Sequence, residues 1–396
     1  MSSPRYTILG RARPKRPVAS AVIAAAAALA IASTTVAGGS TTRILRVAPA
    51  GVEIDAGHIA VANHHVAVIW QEDYGNSDLE KYDFLRWSSD AGQTWAPIVH
   101  LDNGSPSSSA SVDICGGYVW AMSRFPTGSD TWSLGLDSRQ VDGPGYGWGY
   151  FNVDPAVEGS VLSAGITCVG GRRLAAIWTD ISTNPAHVKV AIRPLWPCAT
   201  GCEPHSRRVF DLGPGDHNES PDIVATKDTI YAAWEYAGSM YFKRFSMADD
   251  LDATVTPHPT MTLPEGTSGG DWIGAYGARV VIAYETAPYS QGEARVIAST
   301  DGGRSFGSPV SLPGSHLPEP NVAVRGREVV VESDHDAYRY HSTDGGETWV
   351  QEPSHPLGHQ LGAFMDVSGT LMLAEVWDNN HSGATQQKLR FALRAP

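Results

Sequence analysis

Positive charge is scarce in this chain. Lysine and arginine number 29 against 42 aspartates and glutamates, for a formal charge of −13. Five of those cations, Arg5, Arg11, Arg13, Lys15 and Arg16, lie ahead of residue 37, so the chain beyond them carries −18. A surface this acidic repels phosphates and excludes a nucleic-acid role; steering of a polyanionic polymer would need a local basic pocket to override the global field. Cysteine is also sparse. None of the four lies near the N-terminal apolar run, which excludes a lipoprotein anchor. The histidines lack the H-E-x-x-H spacing of a zinc site. Nothing after residue 43 reads as a linker or a second domain.

The one long apolar run, Val18 to Ala32, follows the basic cluster and precedes Thr35-Val36-Ala37, a small-x-small cleavage site. Residues 1–37 read as a signal peptide and 38–42 as a linker, which predicts a secreted protein with no membrane association after cleavage. An uncleaved anchor is the alternative, since the run can stretch to Val36. The four cysteines suit an oxidising compartment. Cys198 and Cys202 are placed to close a small ring, and Cys115 and Cys168 occupy similar positions in successive repeats, where they can bridge neighbouring strands. A metal site built from the four is the rival, without a histidine at ligand spacing.

What is abundant is repetition. Ser88-Ser89-Asp90-Ala91-Gly92-Gln93-Thr94-Trp95 recurs at 299–306 and 342–349. Each copy follows a short alternating strand and ends on an aromatic. This is hairpin chemistry: the Asp accepts backbone N–H bonds, the Gly tolerates positive φ, and the aromatic enters the core. Loss of the Asp344 acceptor is expected to cost about 1–3 kcal/mol. A longer unit, strand–turn–strand ending on an aromatic, appears at Ile59–Trp70, Ile166–Trp178, Ile223–Trp234 and Trp272–Tyr284. Weaker copies are Val112–Met122, Val322–Val331 and Phe364–Val376. Third strands follow, such as Phe84–Trp87, His187–Ile192 and Met240–Phe245. Seven units of four antiparallel strands predict an all-β, seven-bladed β-propeller over 43–396, with six blades as the alternative. Leu389–Leu393 lacks a fourth strand, and the orphan strand Ile44–Val47 is predicted to supply it.

The eight-residue pattern resembles the Asp box (BNR repeat) of the sialidase superfamily. That resemblance implies a β-propeller fold and hydrolysis of terminal sialic acid. It also implies three arginines gripping the substrate carboxylate, a Tyr–Glu pair as nucleophile and base, and an Asp as acid. The full set is not in this sequence. No Phe-Arg-Ile-Pro or Tyr-Arg-Ile-Pro precedes the first repeat, Arg124 alone falls where a triad arginine would, and Tyr289 and Tyr338 lack the nucleophile's surroundings.

Directly after the second strands come Glu72 and Asp73, Ser123 and Arg124, Asp180, Glu235, Glu285, Asp334 with Asp336, and Asp378. Asp180, Glu235 and Glu285 are the candidate catalytic acids, expected to line one pocket with Arg124 at its edge. Glu72, Tyr236, Asp271 and Trp272 are candidate substrate contacts, the aromatics offering faces to sugar C–H bonds. Inter-blade segments add His217-Asn218-Glu219, Glu319, and His355 with His359. Carboxylates in such a ring can divide acid and base work in glycoside hydrolysis or hold Ca²⁺; otherwise they are solvated strand ends, and the aromatics pad the neighbouring blade. The reading is a secreted, monomeric, glycan-active propeller, a glycoside hydrolase with a carboxylate pair and no required cofactor, its partner a glycan or polysaccharide. A non-catalytic propeller binding glycan or protein at the cell envelope is the alternative, and a polysaccharide lyase is ranked last.

Overall fold

The computed structural model describes residues 42–75, 80–101, 108–126, 132–143, 146–149, 161–195, 208–216, 221–247, 255–263, 272–286, 293–313, 320–333, 338–353, 360–378 and 386–396. These form seven antiparallel sheets, each led in sequence order by its first strand. The first strands of blades 1 to 7 are Glu53–Ala62, Ser108–Cys115, Val161–Val169, Asp222–Ala225, Ile273–Tyr276, Pro320–Arg325 and Gln360–Val367. They line a central channel of about 360 Å³. Blade 4 carries an extra short strand, Met261–Thr262, paired with Ser239–Met247. Seven blades are therefore present, not six.

The second strands are continuous apolar runs rather than alternating ones. All eight residues of Arg173–Asp180 are buried. A blade is covered on both faces by its neighbours, so both faces of its second strand must be apolar. Seven apolar clusters result, one per blade–blade interface. Close approach also dictates residue size. A Cβ on Gly274 of blade 5 would lie 2.9 Å from the Val322 carbonyl oxygen of blade 6.

The ring closes as expected. Arg43–Val47 pairs antiparallel with the strand Lys388–Arg394, Arg43 opposite Phe391 and Val47 opposite Lys388. The last sheet thus runs first strand, second, third, then the N-terminal strand on its outside. Cys115 and Cys168, on the first strands of blades 2 and 3, form a disulfide with a Cα–Cα distance of 5.4 Å, within the span a bridge closes without backbone movement. Cys198, Cys202 and the signal segment lie outside the described residues.

The three repeated turns join third to fourth strands in blades 1, 5 and 6, and they share one bond pattern. In the last copy the Ser342 hydroxyl donates to Asp344 (2.8 Å) and accepts the Gly346 N–H (2.8 Å). Asp344 accepts the N–H groups of Glu347 and Thr348, both at 2.9 Å. The closing aromatic reaches the preceding blade: Trp95 meets Phe391 edge-on at 5.1 Å, and Phe306 meets Phe242 at 4.9 Å.

Burial divides the labour within the turn. The Gly346–Ser342 bond is buried, whereas the bonds that Glu347 and Thr348 donate to Asp344 are exposed. Water can replace the Asp344 acceptor but not the Ser342 one. The expected cost of Asp344→Ala therefore falls to about 1 kcal/mol or less. Ser342→Ala strands a buried N–H and should destabilise by about 1–3 kcal/mol in urea unfolding. Equal losses for the two variants would refute this division.

Candidate functional site

Strand parity decides where each predicted acid goes. Successive side chains on a strand face opposite sides, and in a propeller those sides are two different blade interfaces. Trp178 packs between blades 2 and 3, so Asp180, two residues on, enters that interface. Ala233 packs between blades 4 and 5, and Ala283 between blades 5 and 6. Glu235 and Glu285 follow them by two and enter those interfaces. Glu72 follows Trp70 into the closure between blades 7 and 1. Asp180, Glu235 and Glu285 share a strand-end register but enter three separate interfaces, whereas Asp378, two residues after Val376, enters the closure together with Glu72. The expectation that Asp180, Glu235 and Glu285 converge on one pocket overlooked parity. They are the final residues of second strands or lie one short, not loop residues.

Their partners are internal. Glu72 is fully buried and accepts from Arg46 Nε (2.6 Å) and Nη2 (2.9 Å), Trp70 Nε1 (3.1 Å) and Tyr74 Oη (2.8 Å). Burial favours its neutral form, but the bonds from Arg46, Trp70 and Tyr74 outweigh burial and hold its pKa below the ordinary range. Asp180 behaves alike: burial is outweighed by Lys189 Nζ at 2.5 Å and by the Ser182 N–H and hydroxyl at 2.9 and 2.6 Å. Arg124, by parity with Met122, enters the same interface as Asp180. Its Nη1 donates to the Val161 carbonyl (3.2 Å), and Val161 stands directly opposite Asp180. Glu235, Glu285 and Asp378 are buried. Trp272 is fully buried among Met240, Phe242 and Tyr284 and presents no face to a sugar. Tyr236 is half-buried at the hairpin opposite Ser239. Asp271, Asp334, Asp336, Tyr289, His217, Asn218, Glu219, Glu319, His355 and His359 lie outside the described residues.

Between blades 6 and 7 the two parities meet. Glu332 follows Val330 and Glu375 follows Leu373 into one interface, and both carboxyls are buried. Arg339 Nη1 lies 3.1 Å from Glu375 Oε1, Arg394 Nε contacts its Oε2, and Arg339 also reaches Glu352 at 2.7 Å. Desolvation, then the charge of Glu375, raise Glu332 well above the ordinary carboxylate range. Desolvation raises Glu375 too, opposed by Arg394 and by its bond with Glu332. Burial and the neighbouring carboxyl thus both favour the neutral form of Glu332. Gly362 makes the space: a Cβ there would sit 3.1 Å from Glu332 Oε2.

The channel holds a second set of polar groups. Asp113 accepts the N–H of Ile114 and that of Cys168 on the next blade, both at 2.6 Å. Asp222 repeats this with Ile223 (2.6 Å) and Ile273 (3.0 Å). These carboxylates tie together first strands that share no ladder. Burial raises Asp113, opposed by those bonds, and burial lowers His58, opposed by Asp222 and Asp113.

No protein-family model matches the chain, and neither does any curated protein. Solved structures do. YCF48 bound to D1 peptide is 14% identical, with 90% of this chain and 95% of that one covered at a TM-score of 0.50. The phage phi92 endosialidase is 10% identical, covering 90% of this chain and 69% of that one at 0.49. A mutant Trypanosoma rangeli sialidase displaying trans-sialidase activity is 12% identical, covering 90% and 59% at 0.47. The fold is a seven-bladed β-propeller.

Within this propeller, the sequence reading passed over Glu332, Glu375, Asp113 and Asp222. The available signal was an acid inside an apolar strand, as in Val112-Asp113-Ile114 and Ala374-Glu375-Val376. Such an acid must be paired or protonated. Among the described residues, no group of three or more His, Cys, Asp or Glu could hold a metal ion, and no helix is long and apolar enough to cross a membrane.

Proposed function

We propose that this chain is a secreted, monomeric propeller that binds a glycan at the cell envelope without turning it over. One observation carries the reading: Asp180, Glu235 and Glu285 are buried and enter three separate interfaces, while Glu72 is spent on the Arg46 pair across the blade 7–1 closure. A hydrolase needs two carboxyls facing a shared substrate. The resemblance of the repeated turns to the Asp boxes of sialidases supports a glycan as the partner class, and YCF48, bound to a peptide, shows a propeller in a binding role.

Glycoside hydrolysis is the second reading, and one feature favours it. Burial and the neighbouring Glu375 raise the pKa of Glu332, the direction an acid catalyst needs. The burial of both ranks it second.

The test is a glycan panel against the chain lacking residues 1–37, reading both binding and product release. Saturable binding without new reducing ends is expected. Turnover abolished by Glu332→Gln would replace binding with hydrolysis, and turnover lost in Glu235→Gln or Glu285→Gln would restore the strand-end acids as catalysts.

A further inference from the structure

The turn face, remote from the strand ends discussed above, carries a cavity of about 650 Å³ between blades 4 and 5. Tyr231 and Arg244 lie opposite one another in register on the second and third strands of blade 4, with Thr229 opposite Ser246 beside them. Tyr231 packs towards blade 5. Directly opposed residues share a sheet face, so Arg244 enters the same interface. Lys227 enters the lining from the blade 4 hairpin, and Arg304 from the repeated turn of blade 5. A Cβ on Gly302 would lie 3.6 Å from Tyr231 Oη and 4.0 Å from Arg304 Nη1, which places hydroxyl and guanidinium on one side of that turn.

Two carboxylates line the same space, and both have local bonds. Asp301 accepts from the Ser299 hydroxyl, the Arg304 and Ser305 N–H groups and the Ser305 hydroxyl, at 2.7–3.0 Å. Asp228 accepts the Thr229 hydroxyl at 3.2 Å. Among the described residues no carboxylate forms an ion pair with Lys227, Arg244 or Arg304. Three cations around one cavity are conspicuous on a chain of charge −13. Their crowding registers on His258, whose Nε2 lies 2.8 Å from the Ser246 hydroxyl. Burial, then Arg244 and Arg304, lower its pKa.

We infer that this cavity is a binding site for an oxyanion, the carboxylate, phosphate or sulfate of a small ligand or a glycan substituent. Arg244 and Arg304 supply charge-assisted donors, Lys227 a mobile point charge, and the Ser246 hydroxyl a neutral donor. The site lies on a different face from the strand-end acids and stands whether or not the chain binds a neutral glycan elsewhere.

The experiment titrates the chain lacking residues 1–37 with inorganic phosphate, sulfate and glucuronate at fixed ionic strength, by calorimetry and by the imidazole NMR signals. At least one should saturate at millimolar concentration and raise the pKa of His258, and which one does so identifies the ligand's chemistry. Arg244→Gln and the exposed Arg304→Gln should each weaken that binding about tenfold. Arg208→Gln, an exposed cation on blade 3, should leave it unchanged. No saturation by any of the three anions would overturn the assignment, as would equal effects of all three variants. Should Arg244→Gln fail to fold, Arg304→Gln decides alone.

Discussion

Replacing Cys115 and Cys168 together with serine should lower the unfolding free energy by about 4 kcal/mol. The bridge closes a loop across a sequence separation of 53 residues, and the chain-entropy relation gives about 4 kcal/mol for a loop of that size. Geometry adds a reason to expect the full value. The bridged strands sit in neighbouring blades and share no ladder, so the bridge adds to the Asp113 bond to Cys168, the Ser111 bond to Ile166 and the apolar packing of that interface rather than duplicating a ladder. Urea unfolding of the double serine variant checks this. A loss below about 1 kcal/mol would mean that packing alone fixes the blade 2–3 interface.

The second large effect lies in the blade 6–7 interface. Glu375→Ala should cost about 3 kcal/mol, because it removes the buried carboxylate that Arg339 and Arg394 contact and leaves one arm of the buried Arg339 uncompensated. Glu332→Gln should behave differently. A glutamine reproduces the shape of the protonated acid and removes the need for a proton. The sign follows from linkage: a carboxyl raised in the folded state binds more protons folded than unfolded. Its contribution is full below the ordinary glutamate pKa and is lost as pH rises through the raised value. The difference in melting temperature between wild type and Glu332→Gln should therefore shift in the variant's favour as pH climbs from 4.5 upward. A difference that stays constant with pH would show that Glu332 ionises normally.

The fold was legible because its evidence is repetitive. Seven copies of a strand pair, four of them ending on an aromatic, determine blade number without knowledge of any contact, and the unmatched strands at 44–47 and 389–393 require each other. The site was less legible because it depends on a single-residue phase. Asp180 lies two residues after Trp178, Glu235 one residue after Trp234, and Glu285 one after Tyr284. Those offsets were readable from the sequence, but which interface an even or odd step enters is set by packing of the whole ring. Arg46 is a clearer case. Nothing near residue 46 points to residue 72, and only ring closure brings the two together. The cationic cavity likewise draws on blades 4 and 5, through residues far apart in sequence with no motif among them.

The paired terminal strands also give the ring a mechanical weak point. Arg43 begins its strand and stands opposite Phe391, near the end of the partner strand. Both chain ends therefore leave the sheet on the same side. Ladder bonds in an antiparallel pair run perpendicular to the strands, so tension between the ends pulls along those bonds and ruptures them one after another, beginning at Arg43. Shear would have loaded them all at once. A propeller tethered through its two ends would peel open at this blade under modest force, while the other six sheets, each built from contiguous chain, stay unloaded until the ring has parted.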